Sequence, residues 1–315
     1  MDFKNVLDKK PFVLSEGAIL ERLTRECNVA MDVNILNASL IYDVADRALL
    51  EKLYKQYIAV GERYKFPMIN LTPTWRANKE RILGAGLQHK DVNGDCFRFL
   101  AAIRASYGEY AKQMYIGGLI GCKGDAYKPE EALTSKAAYE FHKYQVAALA
   151  SAGVDFLIAE TLPAVSEALG IAQVMAEFGC EYIISFVIRP EGMILDGTTL
   201  GDAVAMLDSL VHPKPLGYMV NCVHASVLQK ALEQSGNVFS LLQERLIGIQ
   251  ANTSAKSPKE LDESAELQGE DPEIFADAMQ KLHEKFGIKI LGGCCGTNQR
   301  HIECLADKIS RLGYY

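Results

Sequence analysis

Short apolar runs recur along this chain, each closing on glycine or polar residues and each followed by a longer amphipathic stretch. Eight runs read as strands: 11–14 (PFVL), 67–71 (PMINL), 115–120 (YIGGLI), 155–159 (DFLIA), 182–187 (YIISFV), 217–221 (GYMVN), 246–250 (LIGIQ) and 288–291 (IKIL). They are apolar nearly throughout instead of alternating, the pattern of strands covered on both faces. Between them the apolar positions step by three and four. Residues 135–152 put Ala138, Phe141, Gln145, Ala148 and Ala152 on one helical face, with Gly153 as the stop. Residues 273–286 do the same with Ile274, Ala278 and Leu282 before Gly287. Val165 to Phe178 before Gly179, and Val227 to Gln234 before Gly236, repeat the arrangement.

Strand, loop and helix repeated eight times predicts an α/β chain folded as a single (β/α)8 TIM barrel, not a doubly wound sheet. No linker, low-complexity tract or composition break interrupts it, so residues 1–315 read as one domain. The longest irregular stretch, Ala251 to Asp271, follows the seventh run and is expected at the rim or in a lid.

Composition narrows the classes. Of 315 residues, 49% are hydrophobic and 23% charged, enough for one large core in a soluble chain. A net charge of −7 with no basic cluster speaks against a nucleic-acid surface. Met1 to Lys10 is mixed and charged with no apolar run behind it, so no secretion signal is expected. No run of ~18 apolar residues could span a membrane. Eight cysteines without an export signal predict free thiols in a reducing cytoplasm. Cys27, Cys96, Cys122, Cys180 and Cys304 lack paired spacing and read as structural. His142, His212, His224, His283 and His301 read as surface or helix positions.

In such a barrel chemistry is built at the C-terminal ends of the strands. Glu16, Thr72, Glu160, Asn221, Cys222, Asn252, Cys294 and Cys295 all fall at or just past those ends. The last run leads into Gly292-Gly293-Cys294-Cys295-Gly296-Thr297. Adjacent cysteines can hardly bond to each other without strain, but flanking glycines let both turn toward one metal ion. Cys222 closes another apolar run and supplies a third thiol. Three protein ligands with an open fourth position make the catalytic form of a Zn2+ site. Three thiolates leave such a zinc complex negative, a poor activator of water. It is a good holder for an incoming thiol, whose proton it drives off. A free thiol, with a pKa near ~8.5, would stay mostly protonated. The residues therefore point to alkyl transfer from an activated methyl group to a thiol.

On those motifs the chain resembles the homocysteine S-methyltransferase family along most of its length. The Asn221-Cys222 pair and the Gly-Gly-Cys-Cys-Gly-Thr run carry the likeness, with 155–163 (DFLIAETLP) and Asp196-Gly197-Thr198 in support. The resemblance implies Cys222, Cys294 and Cys295 as zinc ligands, homocysteine sulfur at the fourth position and methionine as product. It implies that Glu160 holds the substrate's α-amino group, a charge-assisted contact, and that Glu16, Gly17 and Ala18 make carboxylate and backbone contacts. Residues 72–78 (TPTWRAN) match a family rim motif that includes Thr72. Asn221 and Asn252 are candidate substrate contacts or loop-orienting residues, and Trp75 either stacks on a donor cation or packs. No protein base is expected beyond the metal-held substrate thiolate.

Two departures stand out. Glu16 replaces the family's usual Asp, and its loop continues Ile19-Leu20-Glu21-Arg22 in place of a Gly-Thr pair. Gln250-Ala251-Asn252 replaces a Tyr-Pro-Asn triplet. Both lie near substrate and donor, where preference among homocysteine and close thiol or selenol acceptors is set. Expected partners are small molecules: homocysteine and a methyl donor, either a sulfonium (S-methylmethionine or S-adenosylmethionine) or betaine. Two alternatives remain, a homocysteine-methylating unit served by a methylfolate or corrinoid protein, and a non-catalytic zinc- or thiol-binding barrel.

Overall fold

Eight parallel strands close on themselves in sequence order, each hydrogen-bonded to its neighbours and β8 back to β1. The computed structural model describes residues 2–234, 239–254 and 269–314. The strands are β1 Val13–Ser15, β2 Met68–Leu71, β3 Met114–Gly121, β4 Phe156–Leu162, β5 Tyr182–Phe186, β6 Gly217–His224, β7 Leu246–Asn252 and β8 Ile290–Gly293. Helices run between them, so the architecture is the expected (β/α)8 barrel. Among the described residues no helix is long and apolar enough to cross a membrane.

The sequence placed several strand ends too early. β4 runs on through Glu160 to Leu162, and β6 runs on past Asn221 through Cys222 to His224. Polar residues there look like loop, yet pairing continues because register shifts between Ala159 and Leu162, and between Asn221 and Val223, absorb the irregular backbone. The expected helix stops hold. Gly153 and Gly287 cap Ser135–Ala152 and Pro272–Phe286 in the left-handed region. The faces differ from the reading. In Ser135–Ala152 the buried stripe is Ala138, His142, Gln145, Val146 and Leu149, leaving Phe141 and Ala148 at its margin. Ile274 is exposed, with Phe275, Met279, Leu282 and His283 facing the core. His142, His283 and His301 lie on helices, one of the two expected placements, and on their buried faces. Gly236 and most of the expected rim or lid at 251–271 lie outside the described residues.

The barrel interior is layered. Val13, Ile69, Phe156, Ile158, Ile183, Met219 and Ile290 form an apolar core inside the strands. Its N-terminal end is closed by the helix Phe3–Lys9, whose Phe3, Val6 and Leu7 join that cluster. Two residues further along their strands come Ser15, Glu160, Ser185 and Asn221, all buried. Because strand side chains alternate with period two, a polar layer sits directly on the apolar one. This layer is the floor of the site.

Candidate metal centre

Cys222 occupies the bulge of β6, with φ +55. A non-glycine residue there costs on the order of 1–3 kcal/mol and persists only where neighbours over-determine it. Its sulfur lies 2.6 Å from Cys294 Sγ, and Cys294 Sγ lies 4.0 Å from Cys295 Sγ. All three sulfurs fall within 4.8 Å of one another. Sulfurs on a tetrahedral zinc with bonds of about 2.3 Å stand roughly 3.8 Å apart, within the span of this cluster.

The turn after β8 is held on every side. Cys294 N donates to Ala251 O at 2.7 Å, Cys295 N to Asn252 Oδ1 at 3.1 Å, and Thr253 N to Cys295 O at 3.1 Å. Thr297 Oγ1 donates to Cys294 O at 2.6 Å, and Gly296 N donates to Glu21 Oε2 at 2.5 Å. A Cβ on Gly293 would meet Thr297 Oγ1 at 2.3 Å, so only glycine fits there. Asn252 thus acts on Cys295 through its backbone.

The donor set fits a cation. Hydrogen bonds from Cys222 and Cys294 hold the Cys295 thiol well below its usual range, while the same contacts push Cys294 well above it. The crowd favours one thiolate flanked by thiols, and ionising all three needs positive charge among them. These cysteines could hold a metal ion. All eight cysteines of the chain are free.

Beneath the sulfurs, Asn221 is fully engaged. Its Oδ1 accepts from Thr161 N at 2.9 Å and Ser185 Oγ at 2.7 Å, and its Nδ2 donates to Thr161 Oγ1 at 2.7 Å and to Cys222 Sγ at 3.5 Å. Thr161 itself has φ +61 at the bulge of β4. Next to it, Glu160 is 8% exposed, and its Oε1 is buried with no hydrogen-bond partner among the described residues. Burial raises its carboxyl pKa to about 8.

Glu16 lies across the floor. Its Oε2 accepts from Asn70 Nδ2 at 3.0 Å and Leu71 N at 3.3 Å, and burial raises its pKa well above the carboxylate range. Gly17 and Ala18 face the cysteine turn: Ala18 N donates to Thr297 Oγ1 at 3.0 Å, and a Cβ on Gly17 would meet that oxygen at 2.8 Å. Thr72 is buried and bridges β2 to β3, accepting from Leu119 N at 3.0 Å. Trp75 has the Arg76 guanidinium 4.1 Å from its ring centroid, so the chain itself covers one ring face. Gln250 reaches Ser15 Oγ at 3.1 Å from β7. It can do so because Gly292 on β8, between them, has no side chain; a Cβ there would meet Ser15 Cβ at 2.6 Å.

Two contributors escaped the sequence reading. Thr297 sat inside the quoted motif with no role assigned, and Glu21 was visible only as a departure.

With this geometry in hand, comparisons with known proteins agree with one another. The profile of the family described as "Homocysteine S-methyltransferase" matches residues 13–309. A homocysteine S-methyltransferase from Escherichia coli (strain K12) is 25% identical, over 95% of this chain and 96% of its own. The homocysteine S-methyltransferase YbgG from Bacillus subtilis (strain 168) is also 25% identical, covering 96% of each. Among solved structures, the metallated form of the homocysteine methyltransferase MmuM from Escherichia coli has the same fold. Its TM-score is 0.77 at 22% identity, over 96% of this chain and 98% of that one.

Proposed function

The chain belongs to the homocysteine S-methyltransferase family, and on that premise we propose that it methylates homocysteine to methionine at a zinc ion held by Cys222, Cys294 and Cys295. The observation that carries this reading is the meeting of three thiols from two distant strand ends within 4.8 Å. A zinc ion there supplies a Lewis acid that makes an incoming thiol acidic enough to ionise at neutral pH.

The chain's own groups do the rest. Asn221 donates to the Cys222 sulfur, and Asn252 holds the Cys295 backbone N–H. Glu160 receives the α-amino group. Its unpartnered Oε1 is an acceptor waiting for a donor, and an ammonium opposite it offsets the burial that raises its pKa. Glu16, Gly17, Ala18 and Thr72 shape the wall beside β1 and β2. Three thiolates around a divalent ion leave the centre negative, which favours a cationic donor: a sulfonium such as S-methylmethionine or S-adenosylmethionine, or betaine.

The homocysteine sulfur attacks the methyl carbon in line. The new S–C bond forms as the donor's C–S+ or C–N+ bond breaks, and the electron pair leaves with the donor as a neutral thioether or amine. Holding both substrates in that line supplies much of the rate. Eight free thiols suit a reducing compartment such as the cytoplasm.

The test is turnover of homocysteine by zinc-loaded protein with each donor in turn, reading methionine. Product with one of the cationic donors supports the reading. No product with any of them, at full zinc loading, moves the assignment to a unit served by a methylfolate or corrinoid protein.

A further inference from the structure

Glu270, just before the helix Pro272–Phe286, is held at three atoms by three different elements. Its N donates to Thr253 O at 3.0 Å, one residue past the end of β7. Its O lies 3.1 Å from His301 Nε2, in the helix Gln299–Ser310 that follows the cysteine turn. Its Oε2 lies 3.1 Å from Nε2 of His224, the last residue of β6. The partners decide where the protons sit. His224 caps the helix Ala225–Glu233, and its Nδ1 accepts from Ser226 N at 3.2 Å. The ring proton is therefore on Nε2, which donates to the Glu270 carboxylate. A carbonyl oxygen can only accept, so His301 Nε2 donates as well.

This junction spans the three sulfurs. On one side His224 stands two residues past Cys222. On the other, Thr253 N donates to Cys295 O at 3.1 Å. A Cβ on Gly296, at φ +80, would meet Thr253 Oγ1 at 1.9 Å, so the cysteine turn lies flush on Thr253. A path of hydrogen bonds thus runs from the end of β6 through Glu270 and Thr253 to Cys295. Its His224–Glu270 step is largely shielded from water, with the side chains 11% and 21% exposed. Cys295 is itself exposed, so what fixes it is the hold on its backbone and not packing of its side chain.

We propose that His224 and Glu270 are positioning residues of the metal centre, a strap that fixes the spacing between the Cys222 arm and the Cys295 arm. This rests on the zinc reading above. β6 and β8 are not neighbours, since β7 stands between them, and the ladder of β6 is broken by the bulge at Cys222. Regular strand pairing therefore does not set the distance between the two arms. A site with three protein ligands has no fourth arm to hold its shape, so the partners around those ligands must hold it. The strap does this without touching a sulfur, which leaves the open position to the substrate.

The experiment uses three variants. His224→Asn keeps a helix-capping side chain but is too short to reach Glu270, Glu270→Ala removes the acceptor, and Glu270→Gln keeps an acceptor oxygen for His224. Zinc affinity is read by competition with a chromophoric chelator, and the ligand-field bands of the cobalt(II)-substituted protein report the geometry of the site. His224→Asn and Glu270→Ala are each expected to weaken zinc binding by about tenfold and to shift the cobalt bands. The double variant should bind no more weakly than either single one, because both cut the same strap. Glu270→Gln should recover most of the affinity. A merely structural role would lower the melting temperature and leave zinc affinity and the cobalt bands in place. Wild-type affinity and bands in the two single variants would overturn the proposal, and so would losses that add in the double variant. Glu270→Ala decides alone should His224→Asn fail to fold. A wild-type protein that binds neither metal would remove the zinc reading itself, and this proposal with it.

Discussion

The Asn221 carboxamide grips Thr161 at two points, accepting its backbone N–H at 2.9 Å and donating to its hydroxyl at 2.7 Å. That grip joins two bulges in neighbouring regions of the barrel, each with a non-glycine residue at positive φ: Thr161 at +61 and Cys222 at +55. Strain of this kind survives only under such restraint. Asn221→Ala leaves Thr161 N without its partner in a buried setting, a loss of about 1–3 kcal/mol. It also lets Cys222 relax, so zinc affinity is expected to fall about ten- to a hundredfold. Urea unfolding and chelator competition measure the two effects separately, and a stability loss with unchanged zinc affinity would uncouple Asn221 from the metal centre.

Cys295 is the exposed member of the triad. Its side chain contributes little to the core, so Cys295→Ser is expected to shift stability by no more than about 0.5 kcal/mol. Zinc remaining after dialysis should drop to background, and methyl transfer with it. Elemental analysis beside circular dichroism checks this. Global unfolding of the variant would instead favour a structural metal in a non-catalytic barrel.

Glu160 carries a pH signature. Its folded pKa of about 8 stands above the ordinary 4.5, so between those values the native state keeps a proton that the unfolded chain has released. The native state then binds more protons, and stability falls as pH rises from about 4.5 to about 8, levelling off above. Glu160→Gln removes this contribution. In metal-free protein the variant should gain on wild type through that window and match it below pH 4.5. Its KM for homocysteine should rise about tenfold or more, the weight of a charged hydrogen bond. Thermal melts across pH test the first part, and a variant curve parallel to wild type would refute it.

The parts of the molecule that were legible beforehand are those written in local pattern. Apolar runs and glycine stops gave the eight strands and the caps at Gly153 and Gly287, because period and left-handed backbone are set by adjacent residues. The three sulfurs were legible too, since glycines and paired cysteines are themselves local. What the pattern could not carry is relation across the barrel. Nothing near Glu167 announces that it ties Lys123 to Leu133, and nothing near Asn252 says that its oxygen meets the Cys295 amide. Strand ends at Glu160 and Cys222 were misjudged because bulges let polar residues remain paired. Helix faces at Phe141 and Ile274 were rotated because a polar residue, His142 or His283, holds the buried position through a hydrogen bond.

The N-terminal helix is a further case, read as a mixed charged segment because seven residues with three apolar positions make a weak signal. Phe3 stacks on Phe156 with centroids 4.1 Å apart and closes the barrel's lower end. Phe3→Ala is expected to destabilise by about 3–5 kcal/mol. Since the cysteines lie at the opposite end, activity per folded molecule should be unchanged. Denaturant midpoints and specific activity on the folded fraction measure both, and a loss of activity in fully folded protein would contradict this separation.

Glu167 joins its helix to the loop after β3, accepting from Lys123 N and Leu133 N at the loop's two ends. Replacing it by alanine strips acceptors from Lys123 N and Leu133 N and leaves His142 Nε2 without its carboxylate. Breaking a buried, hydrogen-bonded charge in this way costs about 3–5 kcal/mol. Glu167→Gln is the finer instrument. Its amide nitrogen must face one of the two loop N–H donors, so one end of the loop is released while the other stays tied. Stability should fall by only about 1–3 kcal/mol. Amide exchange along 123–133 should quicken, because the loop then opens without the barrel unfolding. Zinc affinity should stay at the wild-type value, because none of the hydrogen-bond partners of Glu167 is one of the three cysteines. Unchanged exchange along 123–133 would show that this carboxylate is not what holds the loop.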